Sequence, residues 1–204
     1  MSYTLIIVIV TVLISLAAFN NEGLFQKSIL WPRRMDNSKE YYRLLSSGFI
    51  HADYMHLIFN MLALFLFGRN VEFFYAASGM GQSLFLIMYL SGIIAASLPS
   101  FVRHKNDVYY RSLGASGGVS AVLFSFVYFA PWQTIYVFFI PIPGVIAAIA
   151  YVVYSAYMSK QRQDNVNHDA HLWGGLYGFL FTLLFAPDHG INFFSELLHP
   201  QFNF

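Results

Sequence analysis

The sequence predicts an all-α membrane protein, a single bundle of six transmembrane helices. Of its 204 residues, 57% are hydrophobic and only 10% are charged, whereas a soluble domain usually carries about 25% charged residues. A spanning helix needs about 20 mainly apolar residues, and six stretches of the chain meet or approach that length. We see no repeat and no separate soluble region, so we expect one domain over residues 1–204.

The six predicted segments differ in composition. In chain order they are Tyr3–Phe19, 50–68, 83–102, 114–130, 143–158 and 170–186. The fourth and sixth are rich in small residues, which allow close helix packing in lipid, so we place them at the centre of the bundle. The first segment could instead be a signal peptide, but residues 1–3 supply no positive region before it, which disfavours that alternative.

Charge is concentrated in the loops on one side of the predicted bundle. The loop 20–49 is long and mixed, and the loops 102–113 and 159–169 are also charged, whereas Arg69 is the only Lys or Arg on the other side. A loop of such length is often functional. The proline-bounded residues 131–143 predict an extended segment at the membrane interface.

A nucleophile-type motif lies in the fourth segment, where Ser116 follows Gly114 and Ala115 within a stretch, 112–159, that holds no charged residue. If the segments alternate in direction, the second, fourth and sixth run the same way. Their early polar residues, His56 with Asn60, Ser116 and His171, then lie at similar depth. A serine beside a histidine is the nucleophile–base pair of acyl transfer.

Small residues explain how these groups meet. Gly114 and Gly117 in the fourth segment, with Gly174 and Gly178 on the His171 face of the sixth, favour close approach of two helices. The Ser116 N–H, at a helix start, and the side chains of His56 and Asn60 could stabilise an oxyanion. Asp169 falls on another face of the helix from His171, so a Ser–His dyad is the simpler prediction.

These motifs together resemble the rhomboid family of intramembrane serine proteases. The matching stretches are HADYMHLIFN from His51 to Asn60, FGRNVE from Phe67, GASG from Gly114 and AHLWGGLYG from Ala170 to Gly178. The resemblance implies that Ser116 is the nucleophile and His171 the general base, with His56, Asn60 and the Ser116 amide at the oxyanion. It also pairs Arg43 with the family's loop arginine.

The resemblance further implies the substrates and the location. Substrates would be single-span membrane proteins, cut near the membrane surface after a small residue, with no metal or other cofactor. The site would lie in a multi-pass protein of a bacterial inner membrane, facing away from the cytoplasm. Ten of the eleven Lys and Arg residues lie on that same side, which favours the opposite orientation; we retain the family orientation.

One position departs from the pattern. Some members of the family carry a tyrosine four residues after the nucleophile, stacked on the histidine, but this chain has Ser120 there, so another residue must orient His171.

Two other functions remain open, while the net charge of +1 gives no indication of a nucleic-acid partner. One is a catalytically inactive relative that binds membrane clients. The other is a small transporter or metal carrier that uses His51, His56, His168 and His171. His51 and His168 are expected to be structural.

Overall fold

The computed structural model describes residues 2–137, 139–161 and 167–200, and this part of the chain is mostly helical. Between helices α6 and α7 lies a two-stranded antiparallel hairpin, β1 and β2. In chain order the elements are α1 Tyr3–Phe19, α2 Glu22–Ser28, α3 Arg43–Ser46, α4 Tyr54–Ala77, α5 Ser83–Arg103, α6 Ser116–Phe129, β1 Thr134–Val137, β2 Ile140–Pro143, α7 Gly144–Gln161, α8 His168–Phe185 and α9 Pro187–Leu198.

Each of the six predicted segments coincides with a helix, but the second was placed wrongly. Helix α4 begins at Tyr54 because the Asp53 carboxylate accepts the backbone N–H of His56 at 2.8 Å and caps the helix. It then continues to Ala77, well beyond residue 68. The described part of the chain also contains three α-helices that were not expected, α2, α3 and α9, and three short 3-10 helices in the loop 20–49.

Length and hydropathy support fewer spans than the sequence predicted. Within the described residues, α4 and α5 are long and apolar enough to cross a membrane, and the bent pair α8–α9 makes a third if it is one span. Helices α1 and α6 are apolar but shorter than a candidate span requires, and so is the apolar part of α7, Gly144–Ser159. The count of six spans therefore stays a prediction.

The long loop 20–49 is a folded unit rather than a connector. Its centre is the Arg43 side chain, which is only 3% exposed. The guanidinium donates to Glu40 at 2.6 Å and to the backbone carbonyls of Gln26 and Ile29 at 2.9 and 3.0 Å. A buried arginine needs such partners, and here they tie α2 to α3.

Residues 131–143 are largely extended, as expected, but their pairing into a hairpin was not foreseen. Phe139, in the turn between the strands, has a φ of 69°, a conformation that glycine or asparagine usually adopts.

Helix α6 is the central element of the bundle. Ten of its 14 residues are buried, against α4, α5 and α8. The prediction that the fourth segment lies at the centre is therefore correct, and its first residue is Ser116.

Candidate active site

The chain that leads into Ser116 is fixed by the folded loop. Leu30 and Ser112 exchange two backbone hydrogen bonds, at 2.9 and 3.1 Å, and the Gly114 N–H donates to the Ser47 carbonyl at 2.9 Å. Gly114 itself has a φ of 115°, which only glycine adopts readily. Residues far away in the sequence thus set the position of the turn before Ser116.

His51 secures the same turn from the other side. Its ring is fully buried, and Nε2 accepts the Ala115 N–H at 3.3 Å, which leaves the proton on Nδ1. Nδ1 then donates to Ser15 Oγ at 2.9 Å, and Ser15 donates onward to the Phe49 carbonyl at 3.0 Å. This chain of three bonds fits a neutral imidazole with a structural role.

His56 lies directly against the turn before Ser116. A Cβ placed on Gly114 would meet His56 Cε1 at 2.6 Å and Nε2 at 2.8 Å, so only glycine at this position leaves room for the ring. Asn60 follows one helical turn later, and its Nδ2 donates at 2.9 Å to the His56 carbonyl. The structure therefore brings His56 to the turn, whereas Asn60 lies behind it, bonded to its own helix.

Helices α6 and α8 meet backbone to backbone. A Cβ on Gly174 would collide with the Gly117 carbonyl, and one on Gly178 with the Ala121 carbonyl. Since 174 − 117 and 178 − 121 both equal 57, the two helices run parallel in a constant register. Ser116 is one residue before Gly117 and His171 three before Gly174, so they differ in height by two residues, or about 3 Å.

Asn167 joins the starts of these two helices. Its Oδ1 accepts the Ala170 N–H at 3.1 Å and caps α8. Its Nδ2 donates to Ser112 Oγ at 2.9 Å, in the segment before Ser116, and to Ser100 Oγ at 3.1 Å. One side chain thereby connects the beginning of α8 to the segment before Ser116.

Aromatic rings pack against His171. Tyr151 of α7 stacks on it, with ring centroids 5.5 Å apart and planes at 23°, and His168 meets it edge-on at 5.5 Å. Asp169, which follows His168, is engaged elsewhere, by the Arg103 guanidinium and the Ser159 hydroxyl. Through these contacts Asp169 ties the start of α8 to α5 and α7.

Ser116, His56 and His171 line one cavity of about 770 Å³. The rest of its wall is mixed, with polar and charged side chains from the loops beside the apolar Ala52, Leu113 and Met158. At the rim, the Tyr109 N–H donates to Asp107 at 2.9 Å and lowers the pKa of that carboxyl. Other lining residues include Asp53, Arg103, His104, Tyr110, Arg111, Asn167 and His168.

The structure offers no support for a metal carrier. In the parts of the chain that it describes, no three His, Asp or Glu side chains cluster as a metal would require. Both ring nitrogens of His51, one of the proposed ligands, already have hydrogen-bond partners.

Comparison with known proteins agrees with the motifs. The family model described as the Rhomboid domain matches residues 38–188, well over half of the chain. The chain belongs to the rhomboid family. Similar proteins include mitochondrial rhomboid protein 1 of Saccharomyces cerevisiae, which is 35% identical over 143 residues, 68% of this chain and 40% of that protein. The mitochondrial RHOMBOID-like protein 12 of Arabidopsis thaliana is 28% identical over 158 residues, 69% of this chain and 46% of that protein.

A bacterial rhomboid is similar over a shorter region. The rhomboid protease GluP of Bacillus subtilis is 38% identical over 91 residues, 45% of this chain and 16% of that protein. The chain thus spans less than half of these three relatives. As a rhomboid it is an integral membrane protein, but relatives from mitochondria do not support the expected bacterial inner membrane.

Sequence reasoning missed three contributors to this site. Ser47, Asn167 and Tyr151 act through contacts with residues 20 to 67 positions away, and no short motif marks them. The one available signal was Ser120, whose presence indicated that some other residue orients His171.

Proposed function

We propose that this rhomboid is an intramembrane serine endopeptidase that cleaves single-span membrane proteins with a Ser116–His171 dyad. The observation that carries the proposal is the shared cavity. Ser116 at the start of α6, His171 at the start of α8 and His56 at the start of α4 all line it. The fixed register of α6 on α8 supports the pairing of nucleophile and base.

The reaction would proceed in two acyl-transfer steps. His171 accepts the Ser116 hydroxyl proton while Oγ attacks the scissile carbonyl, and the proton is then delivered to the leaving amine as the C–N bond breaks. Water from the cavity next attacks the acyl-enzyme while His171 accepts its proton. The ester bond to Ser116 Oγ then breaks, His171 returns the proton to Oγ, and the new carboxyl terminus is released. No cofactor takes part.

The oxyanion of each tetrahedral intermediate needs hydrogen-bond donors. The N–H groups of Gly114 and Ala115 are already bonded, to Ser47 and His51. The N–H of Ser116 is the first in α6, where the helix supplies no acceptor and its dipole favours negative charge. We assign it to the oxyanion together with the His56 ring, with Asn60 in a lesser role.

Labelling by a fluorophosphonate probe in detergent tests the dyad without a known substrate. We expect the wild type to react and Ser116→Ala and His171→Ala to lose the reaction while retaining their melting temperatures. Ser97→Ala is a matched control, because this buried serine bonds the Ile93 carbonyl of its own helix. Labelling should also fall at acid pH, since a protonated imidazole cannot accept the serine proton.

The alternative of an inactive client-binding rhomboid makes the opposite prediction. A folded wild type that is never labelled, in detergent or in liposomes, would overturn the protease proposal and favour client binding. Cleavage of a single-span reporter in liposomes by the wild type, but not by Ser116→Ala, would extend the result from the dyad to the substrate class.

The orientation in the membrane is a separate part of the proposal. We expect the cavity to face away from the cytoplasm, or from the compartment that corresponds to it. The chain contains no cysteine, so single cysteines can report it. Ser38→Cys lies in the folded loop and Ser78→Cys in the turn after α4, and both positions are exposed. An impermeant maleimide added outside intact cells should label the first and not the second; the reverse would support the orientation that the charges favour.

A further inference from the structure

Helix α7 presents two different faces. Most of its large side chains point away from the bundle; Ile149, Val153 and Tyr157, for example, are each at least 60% exposed. Tyr151 points inward instead, and its ring stacks on the imidazole of His171 at a centroid distance of 5.5 Å. A peripheral helix therefore contacts the candidate base directly.

The other end of the Tyr151 side chain is bonded to the nucleophile's helix. Its hydroxyl lies 2.7 Å from Ser120 Oγ, and Ser120 is only 2% exposed. Ser120 stands one helical turn after Ser116, so Tyr151 bridges the helix of the nucleophile and the ring of the base. Three helices, α6, α7 and α8, meet in this one side chain.

We propose that Tyr151 is a positioning residue that holds the His171 imidazole in the orientation needed to accept the Ser116 proton. This inference rests on the protease function proposed above. The Tyr151 ring covers one face of the imidazole, and the hydroxyl bond to Ser120 keeps the ring from swinging away.

The physical reason is the freedom of a histidine ring about its terminal torsion, which is broad rather than confined to sharp wells. An aromatic neighbour in offset-stacked contact restricts that rotation and is itself a favourable partner. Orientation matters because a misplaced base slows the chemical step without weakening substrate binding. A displacement of about 1 Å can lower turnover by about 100-fold.

Substitutions at Tyr151 separate the roles of its ring and its hydroxyl. In a reporter-cleavage assay we expect Tyr151→Leu to lower kcat by about 10- to 100-fold with KM nearly unchanged. Tyr151→Phe keeps the ring and should restore most of kcat. Tyr157→Leu is the matched control, since it removes an exposed tyrosine from the same helix, and its kcat should equal that of the wild type.

Three outcomes would overturn the proposal. They are a wild-type kcat in Tyr151→Leu, a kcat in Tyr151→Phe as low as in Tyr151→Leu, or a loss in Tyr151→Leu that appears in KM alone. If Tyr151→Leu does not fold, Ser120→Ala decides, because it frees the hydroxyl of an intact tyrosine. We expect a smaller but measurable fall in kcat there, and no change would count against the proposal.

A spectroscopic measurement distinguishes failure of this inference from failure of the protease function. In histidine-labelled protein, the His171 ring proton, assigned by comparison with His171→Gln, should show a ring-current shift. That shift should persist in Tyr151→Phe and vanish in Tyr151→Leu, whether or not the enzyme turns over. Absence of the shift in the wild type would overturn the positioning role, whereas inactivity of the wild type toward probe and reporter would overturn the protease function alone.

Discussion

His171 stands between two helix contacts of different kinds. On one side α8 packs on α6 through Gly174 and Gly178, which lie against backbone atoms of Gly117 and Ala121. On the other side α7 reaches His171 through the single ring of Tyr151. The first contact is made of backbone, the second of a long side chain.

This difference separates the placement of the catalytic groups from their orientation. Because backbone atoms cannot rotate aside, this contact fixes the positions of Ser116 and His171 along the axes of α6 and α8. A side-chain contact adjusts by torsion, so it can orient the imidazole without setting the distance between the helices. Substitutions in the first contact should therefore damage folding and activity together, and those in the second mainly activity.

Gly174→Ala is the most severe test of the backbone contact. The added methyl group would meet the Gly117 carbonyl, which cannot rotate aside, so α8 must move off α6. Overpacking of this kind costs about 1–3 kcal/mol, and we expect the upper end. Because the helices separate, labelling of Ser116 by the fluorophosphonate probe should fall by about 100-fold as well.

Gly144→Ala is the matched control at the start of α7. A Cβ there would lie 3.4 Å from the carbonyl oxygens of Gln133 and Pro131, an ordinary contact. Melting temperature and labelling rate, measured for both variants in the same detergent, should separate them clearly. Equal effects would mean that the α6–α8 contact is no tighter than that of α7.

His51→Ala should have a smaller effect than Gly174→Ala; it removes the acceptor of the Ala115 N–H. An unsatisfied buried donor costs about 1–3 kcal/mol, and the loosened turn before Ser116 should lower labelling by about 10-fold. Ser15→Ala is the comparison, since it removes the partner of Nδ1 and the bond to the Phe49 carbonyl but leaves the acceptor of the Ala115 N–H in place. If Ser15→Ala proved the more damaging of the two, the bond to Ala115 would not be what matters.

Sequence patterns predicted the first kind of contact well. Apolar length located six helices, and the spacing of Gly174 and Gly178 after His171 indicated the face of α8 that meets α6. Such patterns are visible because periodicity is a local property of the chain. The backbone contact depends on the absence of side chains, which a sequence displays directly.

The side-chain contact of Tyr151 with His171 could not be predicted from the sequence, for a physical reason. Tyr151 looks like any aromatic of an apolar helix, and its pairing with His171 depends on how three distant segments pack. The bonds of Asn167 were missed in the same way, since they join distant segments. The hairpin is local, and it was missed because Phe139, in its turn, is neither glycine nor asparagine. The second segment was misplaced because Asp53, which ends the irregular stretch, was counted as part of the helix.

Asn167→Ala tests the link between the starts of α6 and α8. Loss of the cap should cost about 1 kcal/mol. Asn167→Asp is the matched variant, because a carboxylate still accepts the Ala170 N–H but cannot donate to Ser112 and Ser100. We expect stability to be largely retained and the labelling rate to fall in the aspartate variant. A fully active aspartate variant would show that donation from the Asn167 amide to Ser112 is dispensable.

Asn60→Ala should have the smallest effect, although the family resemblance gives Asn60 and His56 the same role. His56 lines the cavity, whereas the Asn60 amide is bonded to the His56 carbonyl at 2.9 Å. Loss of a true oxyanion donor costs about 100- to 1,000-fold in kcat, and we expect that loss for His56→Ala. For Asn60→Ala we expect a fall well below that range.

Asn70→Ala is the control for Asn60→Ala, since Asn70 makes the same bond to its own helix, at 2.7 Å to the Leu66 carbonyl, far from the cavity. Reporter cleavage by His56→Ala, Asn60→Ala and Asn70→Ala shows how much His56 and Asn60 each contribute to oxyanion stabilisation. If Asn60→Ala were as damaging as His56→Ala, the Asn60 amide would have to leave the His56 carbonyl and turn toward the oxyanion when substrate binds. The bond seen in this structure would then be a resting arrangement that catalysis breaks.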